Sequence, residues 1–282
     1  MNDKFSHNNP VLLVGCGHMG SALALGWLKA GLDPDALNIV DPALGAGSLP
    51  GMLAEVPAAN LATSIDALRV NFCPRAIVLA TKPQLVADIL PSIAGLANKD
   101  ALVISIAAGI TLAQLQEGLS TESALVRAMP NMPAAIGAGI TGMAASADTS
   151  REQKQLAGAL LSAIGETVWI SSETLMDVVT AVSGSGPAYV FRLVESMAAA
   201  GVEQGLSEDV AMRLARQTVI GSAQLMASET EVQAAELRER VTSPGGTTAA
   251  ALDILMQSDD GMDALMKKAI AAARKRGAEL AS

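Results

Sequence analysis

The chain has 282 residues, half of them hydrophobic, enough for one large domain or two ordinary ones with a substantial core. A formal charge of -9 and a pI near 4.7 oppose binding to nucleic acid or an anionic membrane, since both are polyanions that would repel it at long range. Cys16 and Cys73 are far apart with no Cys/His cluster, which excludes a disulfide framework and a zinc site and points to a reducing, cytoplasmic compartment.

Residues 1–10 are polar, carry no secretory pattern, and read as a flexible tail. No later apolar run reaches the roughly 18 to 20 residues of a membrane helix. Residues Val11–Val14, Leu37–Val40, 76–80, 102–106 and 125–128 are short, nearly continuous apolar runs. That character suits parallel strands buried on both faces. Between them, residues 21–30, 83–97 and 112–119 have helical length and periodicity. The alternation predicts an α/β fold, a doubly wound Rossmann-type sheet over residues 11–168.

From about residue 169 the chain becomes rich in Ala, Met, Leu and Val at helical spacing, predicting an all-α dimerisation and substrate domain over residues 169–282. Its expected helices are 173–182, 187–204, 207–227, 232–240, 247–256 and 261–277, with Ser207 an N-cap through its hydroxyl. Apolar faces of this kind call for a second subunit. The basic residues Lys267, Lys268, Arg274, Lys275 and Arg276 complement the C-terminal end of the last helix.

Gly15, Cys16, Gly17, His18, Met19 and Gly20 form G-x-G-x-x-G between the first strand and the first helix, the context a dinucleotide site requires. Gly15 permits a tight turn, Gly17 lets backbone approach a pyrophosphate, Gly20 allows close helix packing, and the helix N-terminus offers N–H donors to the anion. Asp41, after the second strand, can accept from an adenosine ribose and so favours NADH by charge, or merely opens the Asp41-Pro42 turn.

A ketone or alcohol dehydrogenase usually keeps a His, Lys or Tyr beside the reacting oxygen. Here the histidines are His7 and His18, the sole tyrosine is Tyr189, and no lysine lies between Lys154 and Lys267. An imine makes smaller demands, because its nitrogen can be protonated before hydride arrives, and alignment alone can lower the barrier by roughly 7 to 11 kcal/mol. Near the C-terminus, Arg238 to Thr248 runs from a polar helix through Ser243-Pro244-Gly245-Gly246 into an apolar helix. Free N–H groups at Gly245, Gly246, Thr247 and Thr248, with the Ser243 hydroxyl, would cradle a carboxylate; the alternative is an ordinary helix start.

Residues 241–252 resemble the hallmark segment of pyrroline-5-carboxylate reductases, and Val14 to Gly20, Ala80-Thr81-Lys82-Pro83-Gln84, Ser105 to Gly109, Arg127 to Pro133 and Val182 to Tyr189 resemble the same family in the same order. The resemblance spans nearly the whole chain. It implies a Rossmann domain followed by a helical domain that interlocks with a partner's, giving homodimers that can assemble into a ring. The implied activity is reduction of 1-pyrroline-5-carboxylate to L-proline with NADPH or NADH. Carried over by motif, Ala80, Thr81, Lys82, Pro83, Ala107 and Ala108 would line the cofactor, with Ser64 near its adenosine. Ser243, Gly245, Gly246 and Thr247 would hold the substrate carboxylate, and the Thr248 hydroxyl would meet the ring nitrogen. Residues 183–187 would shape the cleft or only kink a helix, and Glu231 matches an acidic position before the hallmark segment. Two positions depart from the pattern: Met132 stands where the family commonly has Thr, and Asp41 where it often has Ser or Thr. The family prior therefore leans to NADPH where charge leans to NADH. The competing readings are a reductase of another cyclic imine or β-hydroxy acid on the same plan, and a dinucleotide-binding regulatory protein without catalysis.

Overall fold

Eight strands form one sheet in the order β3-β2-β1-β4-β5-β6-β7-β8. They are β1 (Val11–Val14), β2 (Leu37–Val40), β3 (Leu61–Ala62), β4 (Ala76–Leu79), β5 (Leu102–Ser105), β6 (Ala124–Met129), β7 (Gly139–Ala145) and β8 (Gly165–Trp169). The structure is a computed structural model, described here for residues 5–6, 9–46, 51–68, 72–119 and 123–281. From β3 to β6 all neighbours are parallel; β7 runs antiparallel to β6, and β8 parallel to β7.

The uninterrupted apolar strands have a direct cause: the sheet is covered on both sides. Val11, Leu13, Leu37, Ile39, Val78 and Ile104 pack with Leu23 and Trp27 of α1 (His18–Lys29) and with Leu156 and Leu160 of α4 (Arg151–Leu161). Leu12, Val14, Ile77, Leu79 and Val103, one residue out of phase, pack with Val86, Leu90 and Ile93 of α2 (Pro83–Ile93) and with Leu115 and Leu119 of α3 (Leu112–Leu119). Period-two geometry sends successive side chains to opposite faces, so both phases must be apolar. Trp27 is fully buried, and its Nε1–H donates to the Leu160 carbonyl at 2.8 Å, joining α1 to α4. A capping box starts α4, with Ser150 and Gln153 each satisfying the other's backbone N–H.

The chain divides into two compact units, residues 1–184 with 274–282, and residues 185–273. The first therefore runs past residue 168, where the change to helical character places the boundary in the sequence. Residues 173–184 stay with it because Glu173 pairs with Arg127 of β6 and Val179 packs on Gly142 of β7. Nor is the start of the chain wholly loose: Phe5 is buried in the core beside α1, although residues 1–4, 7 and 8 of the expected tail lie outside the described ones. The helix expected over 173–182 is instead a 3-10 turn (Glu173–Leu175), one short α-helix, α5 (Met176–Val179), and a π-turn (Thr180–Gly184).

The second unit is helical. It holds α6 (Gly186–Glu203), α7 (Glu208–Ser228), α8 (Ala234–Arg240), α9 (Thr247–Leu255) and the first part of α10 (Met262–Ala281). Its buried cluster is small, Ala198, Ala211 and Ala215 with Val194 against them, while Phe191, Leu214, Ile254 and Leu265 are more than half exposed in the single chain. Ser207 stands at the N-cap of α7 without a side-chain bond; its carbonyl accepts the Ala211 N–H, so the expected hydroxyl cap is not made. No helix among the described residues is long and apolar enough to cross a membrane.

Candidate active site

In the order β3-β2-β1-β4-β5 the connections leave β1 in one direction and return past it to β4, so a crevice opens at the carboxyl ends of β1 and β4. All the residues expected at the cofactor are carried by this edge. Gly15 to Gly20 follow β1, Asp41 follows β2, Ser64 follows β3, Ala80 to Pro83 follow β4, and Ala107 and Ala108 follow β5.

The three loop glycines meet three different surroundings. Gly15 has φ +94°, and a Cβ there would stand 2.8 Å from the Ala80 carbonyl oxygen. At Gly20 an added Cβ would collide with the Gly15 carbonyl oxygen, because α1 begins at His18 and folds back against its own entry. A Cβ at Gly17, by contrast, would meet nothing within 4 Å. The first two glycines are demanded by the fold, and the third leaves open the face from which an anion would approach the start of α1. The Thr81 hydroxyl oxygen, beside Gly15, is buried without a hydrogen-bond partner. An open backbone face, a twelve-residue helix pointing its N-terminus at it and an orphaned hydroxyl fit a dinucleotide at this edge.

Asp41 does more than open a turn. Its Oδ2 accepts the Cys16 N–H at 2.6 Å and its Oδ1 the Ala43 N–H at 2.8 Å, so the carboxylate ties the glycine loop to the end of β2. Partial burial, then the neighbouring Asp41 charge, push the Cys16 thiol up to about 11. Cys16 is therefore a neutral thiol at physiological pH. Ser64 is exposed at the head of a 3-10 turn, Lys82 is exposed at the N-cap of α2, and Ala107 is buried while Ala108 is exposed.

In the second unit the chain leaves α8 through Val241 and turns at Ser243 to Gly246 into α9. Gly245 has φ +67°, and the Gly246 N–H donates to the Ser243 carbonyl at 3.0 Å. That bond corrects one expectation: Gly246 closes the turn and is not a free donor. A Cβ on Gly246 would strike the Ser243 hydroxyl, so Ser243 and Gly246 are held face to face. Thr247 and Thr248 occupy the first two positions of α9, where helix geometry gives their N–H groups no intrahelical acceptor. Glu231 is exposed in the turn between α7 and α8.

Other polar residues were not singled out by the sequence as working parts. Asn131 donates from Nδ2 to the Ser183 carbonyl at 3.1 Å and accepts the Ile140 N–H at 3.0 Å, tying the π-turn to the head of β7. Arg127 is buried in β6, with its guanidinium 3.0 Å from Glu173. An arginine in the apolar run Ala124–Met129 was the available signal, because a buried charge requires a partner. A cavity of about 640 Å³ lined by Arg75, Asn98, Lys99 and Ser150 lies at the opposite, amino edge of the sheet and contains none of the expected site residues.

A doubly wound dinucleotide-binding sheet followed by a helical unit with uncovered apolar faces defines a two-domain NAD(P)H-dependent oxidoreductase. Residues 173–280 match the family model described as pyrroline-5-carboxylate reductase dimerisation, and residues 10–109 match that of NADP oxidoreductase coenzyme F420-dependent. A pyrroline-5-carboxylate reductase of Pseudomonas aeruginosa is 40% identical over 273 residues, covering 96% of each chain. The solved structure of a pyrroline-5-carboxylate reductase from Coxiella burnetii superposes with a TM-score of 0.85 at 33% identity, over 98% of this chain and 99% of that one. A Plasmodium falciparum pyrroline carboxylate reductase with NADP bound gives 0.78 at 29% identity, over 98% and 99%. The chain belongs to the pyrroline-5-carboxylate reductase family.

Proposed function

We propose that the chain reduces 1-pyrroline-5-carboxylate to L-proline, the last step of proline biosynthesis, using NADPH or NADH in the cytoplasm. The observation that carries this reading is the end-to-end match to proteins bearing that name, 96% of both chains for the Pseudomonas aeruginosa relative. A bound reduced dinucleotide would supply the hydride that C5 of the imine takes up, becoming oxidised; with one proton on nitrogen the product is a secondary amine. The loop Gly15 to Gly20 would hold the pyrophosphate, Asp41 and Ser64 would serve the adenosine, and Ala80, Thr81, Lys82, Pro83, Ala107 and Ala108 would line the remainder.

The substrate carboxylate is held by the turn of Ser243, Gly245 and Thr247, with Gly246 shaping it. Thr248 aligns the ring nitrogen through its hydroxyl. Support comes from the two N–H groups at the head of α9 and from the positive end of that helix's dipole. The chain needs no strong general acid, since an imine already protonated on nitrogen by solvent accepts hydride without passing through an anion. Two copies pair through the apolar faces of α6 and α7, and such dimers assemble further into a ring.

The test is direct. Purified protein given the imine should oxidise NADPH or NADH stoichiometrically with proline formed; oxidation of neither sinks the reading. Thr248→Ala should lower the rate of imine reduction far more than it weakens dinucleotide binding. Equal losses in both would make the turn merely structural.

A further inference from the structure

The connection between β5 and α3, residues 106–111, carries Ala107 and Ala108. At its start it is fixed by the sheet, where the Ile106 N–H donates to the Leu79 carbonyl at 3.0 Å. Its far end is held twice: Thr111 and Gln114 cap the start of α3 reciprocally, and the Leu112 N–H, at the head of α3, donates at 2.8 Å to Oε1 of Glu173, 61 positions away. The same Oε1 receives Nη1 of Arg127 at 3.0 Å, and Nη2 of Arg127 stands 3.9 Å from Asp177. The Arg127 side chain is 6% exposed and that of Glu173 28%, so the pair is partly withdrawn from water. Between these anchors the loop reverses at Gly109, with φ +80°.

A carboxylate suits this place for two reasons. It meets the positive end of α3, and it compensates a guanidinium that could not remain buried alone. It also has a consequence for function, because Glu173 holds the first N–H of α3 and with it the end of the loop from which α3 starts. We infer that Glu173, oriented by Arg127, is a positioning residue for the dinucleotide: it sets the loop of Ala107 and Ala108 against which the cofactor lies. The inference rests on the assignment of those two alanines to the cofactor.

Three variants separate the possibilities: Glu173→Ala, Glu173→Gln and Ala108→Leu, each assayed for dinucleotide KM, imine KM and Tm. Glu173→Ala should raise the dinucleotide KM roughly ten-fold, the effect of one lost charge-assisted hydrogen bond. The imine KM should stay within about two-fold, since the defect is local to one ligand. Glu173→Gln, whose amide oxygen still accepts the Leu112 N–H, should recover most of the loss. Ala108→Leu should weaken the dinucleotide independently. If Ala108→Leu has no effect, the cofactor assignment of the loop fails and the inference with it. If Ala108→Leu weakens binding but Glu173→Ala only lowers Tm, or Glu173→Gln is as impaired as Glu173→Ala, the positioning role alone is overturned. Should Glu173→Ala not fold, hydrogen exchange on the wild-type protein decides. Adding NADP⁺ should slow exchange both in residues 106–112 and in 173–177, and slowing confined to the first segment refutes the coupling.

Discussion

Alanine substitution at two glycines of one motif should give opposite phenotypes. Gly17 is the N-cap of α1 with φ -68° and ψ -163°, a conformation open to alanine, and its added Cβ meets no atom within 4 Å. Loss of a favourable capping residue costs some tenths of a kcal/mol, and the stiffer unfolded chain returns about 0.4–1 kcal/mol. The net change in stability is within about 0.5 kcal/mol, which for a chain of this size moves Tm by about 1–2 °C. Binding behaves differently, because the methyl occupies the open side of the helix N-terminus. Displacing the pyrophosphate from one N–H forfeits about 1.5–3 kcal/mol, a weakening of roughly 10- to 150-fold. Gly20→Ala reverses the pattern: its Cβ collides with the Gly15 carbonyl, and the loop must shift at about 1–3 kcal/mol, lowering Tm by about 2–12 °C. Titration with NADPH and NADH by fluorescence, beside thermal melts, checks both variants. A Gly17→Ala protein with unchanged affinity for both dinucleotides would refute the assignment of the open face to the cofactor.

Asp41→Ser should raise the NADPH to NADH ratio of kcat/KM, because the carboxylate that would repel a 2'-phosphate is gone; steady-state kinetics with both dinucleotides checks it, and an unchanged ratio counts against Asp41 facing the ribose. The Cys16 thiol, pushed up to about 11 by burial and Asp41, should resist alkylation at neutral pH, as peptide mapping after iodoacetamide would show. Since its proton is held more tightly folded than unfolded, the stability it contributes is complete below its ordinary pKa and is lost as pH rises toward about 11; denaturant melts of wild type and Cys16→Ala should converge or cross within that alkaline window. Trp27→Phe should lose about 1–3 kcal/mol, from the bond to the Leu160 carbonyl and from the volume left empty, with dinucleotide affinity retained.

Legibility in the sequence followed the clarity of each local signal. The strands β1, β2, β4, β5 and β6 were visible because burial on both faces leaves no polar interruption except Asn38, Ser105 and Arg127. By contrast β7, Gly139–Ala145, is built from two glycines, a threonine and two alanines among only two larger apolar residues, so neither alternation nor β-propensity marks it. In β8 only Val168 and Trp169 are large and apolar, and both are partly exposed. These strands exist through pairing, β7 with the edge of β6 and β8 in turn with β7, a non-local cause. The same explains residues 173–184, whose helical periodicity is overruled by the ties of Glu173 and Asn131 to distant backbone and by the packing of Val179 on Gly142.

The site divides along a similar line. A glycine loop declares itself because steric exclusion acts between near neighbours: Gly15 and Gly20 constrain each other across five positions, and their surroundings explain the residue type at each. The turn at Ser243 to Thr248 is equally local and stands out in the sequence for the same reason, but spacing did not show that the Gly246 N–H is spent within the turn. What spacing could not convey is support from afar, since Asp41 bonds across 25 positions to Cys16 and Glu173 across 61 to Leu112. Groups that touch a ligand cluster in short motifs, whereas those that hold the motifs in place are chosen by the folded chain. In this protein the latter include the carboxylates Asp41 and Glu173 beside the amide of Asn131: the carboxylates accept backbone N–H groups at a loop and a helix start, where they set geometry without supplying the acid–base chemistry that an imine does not require.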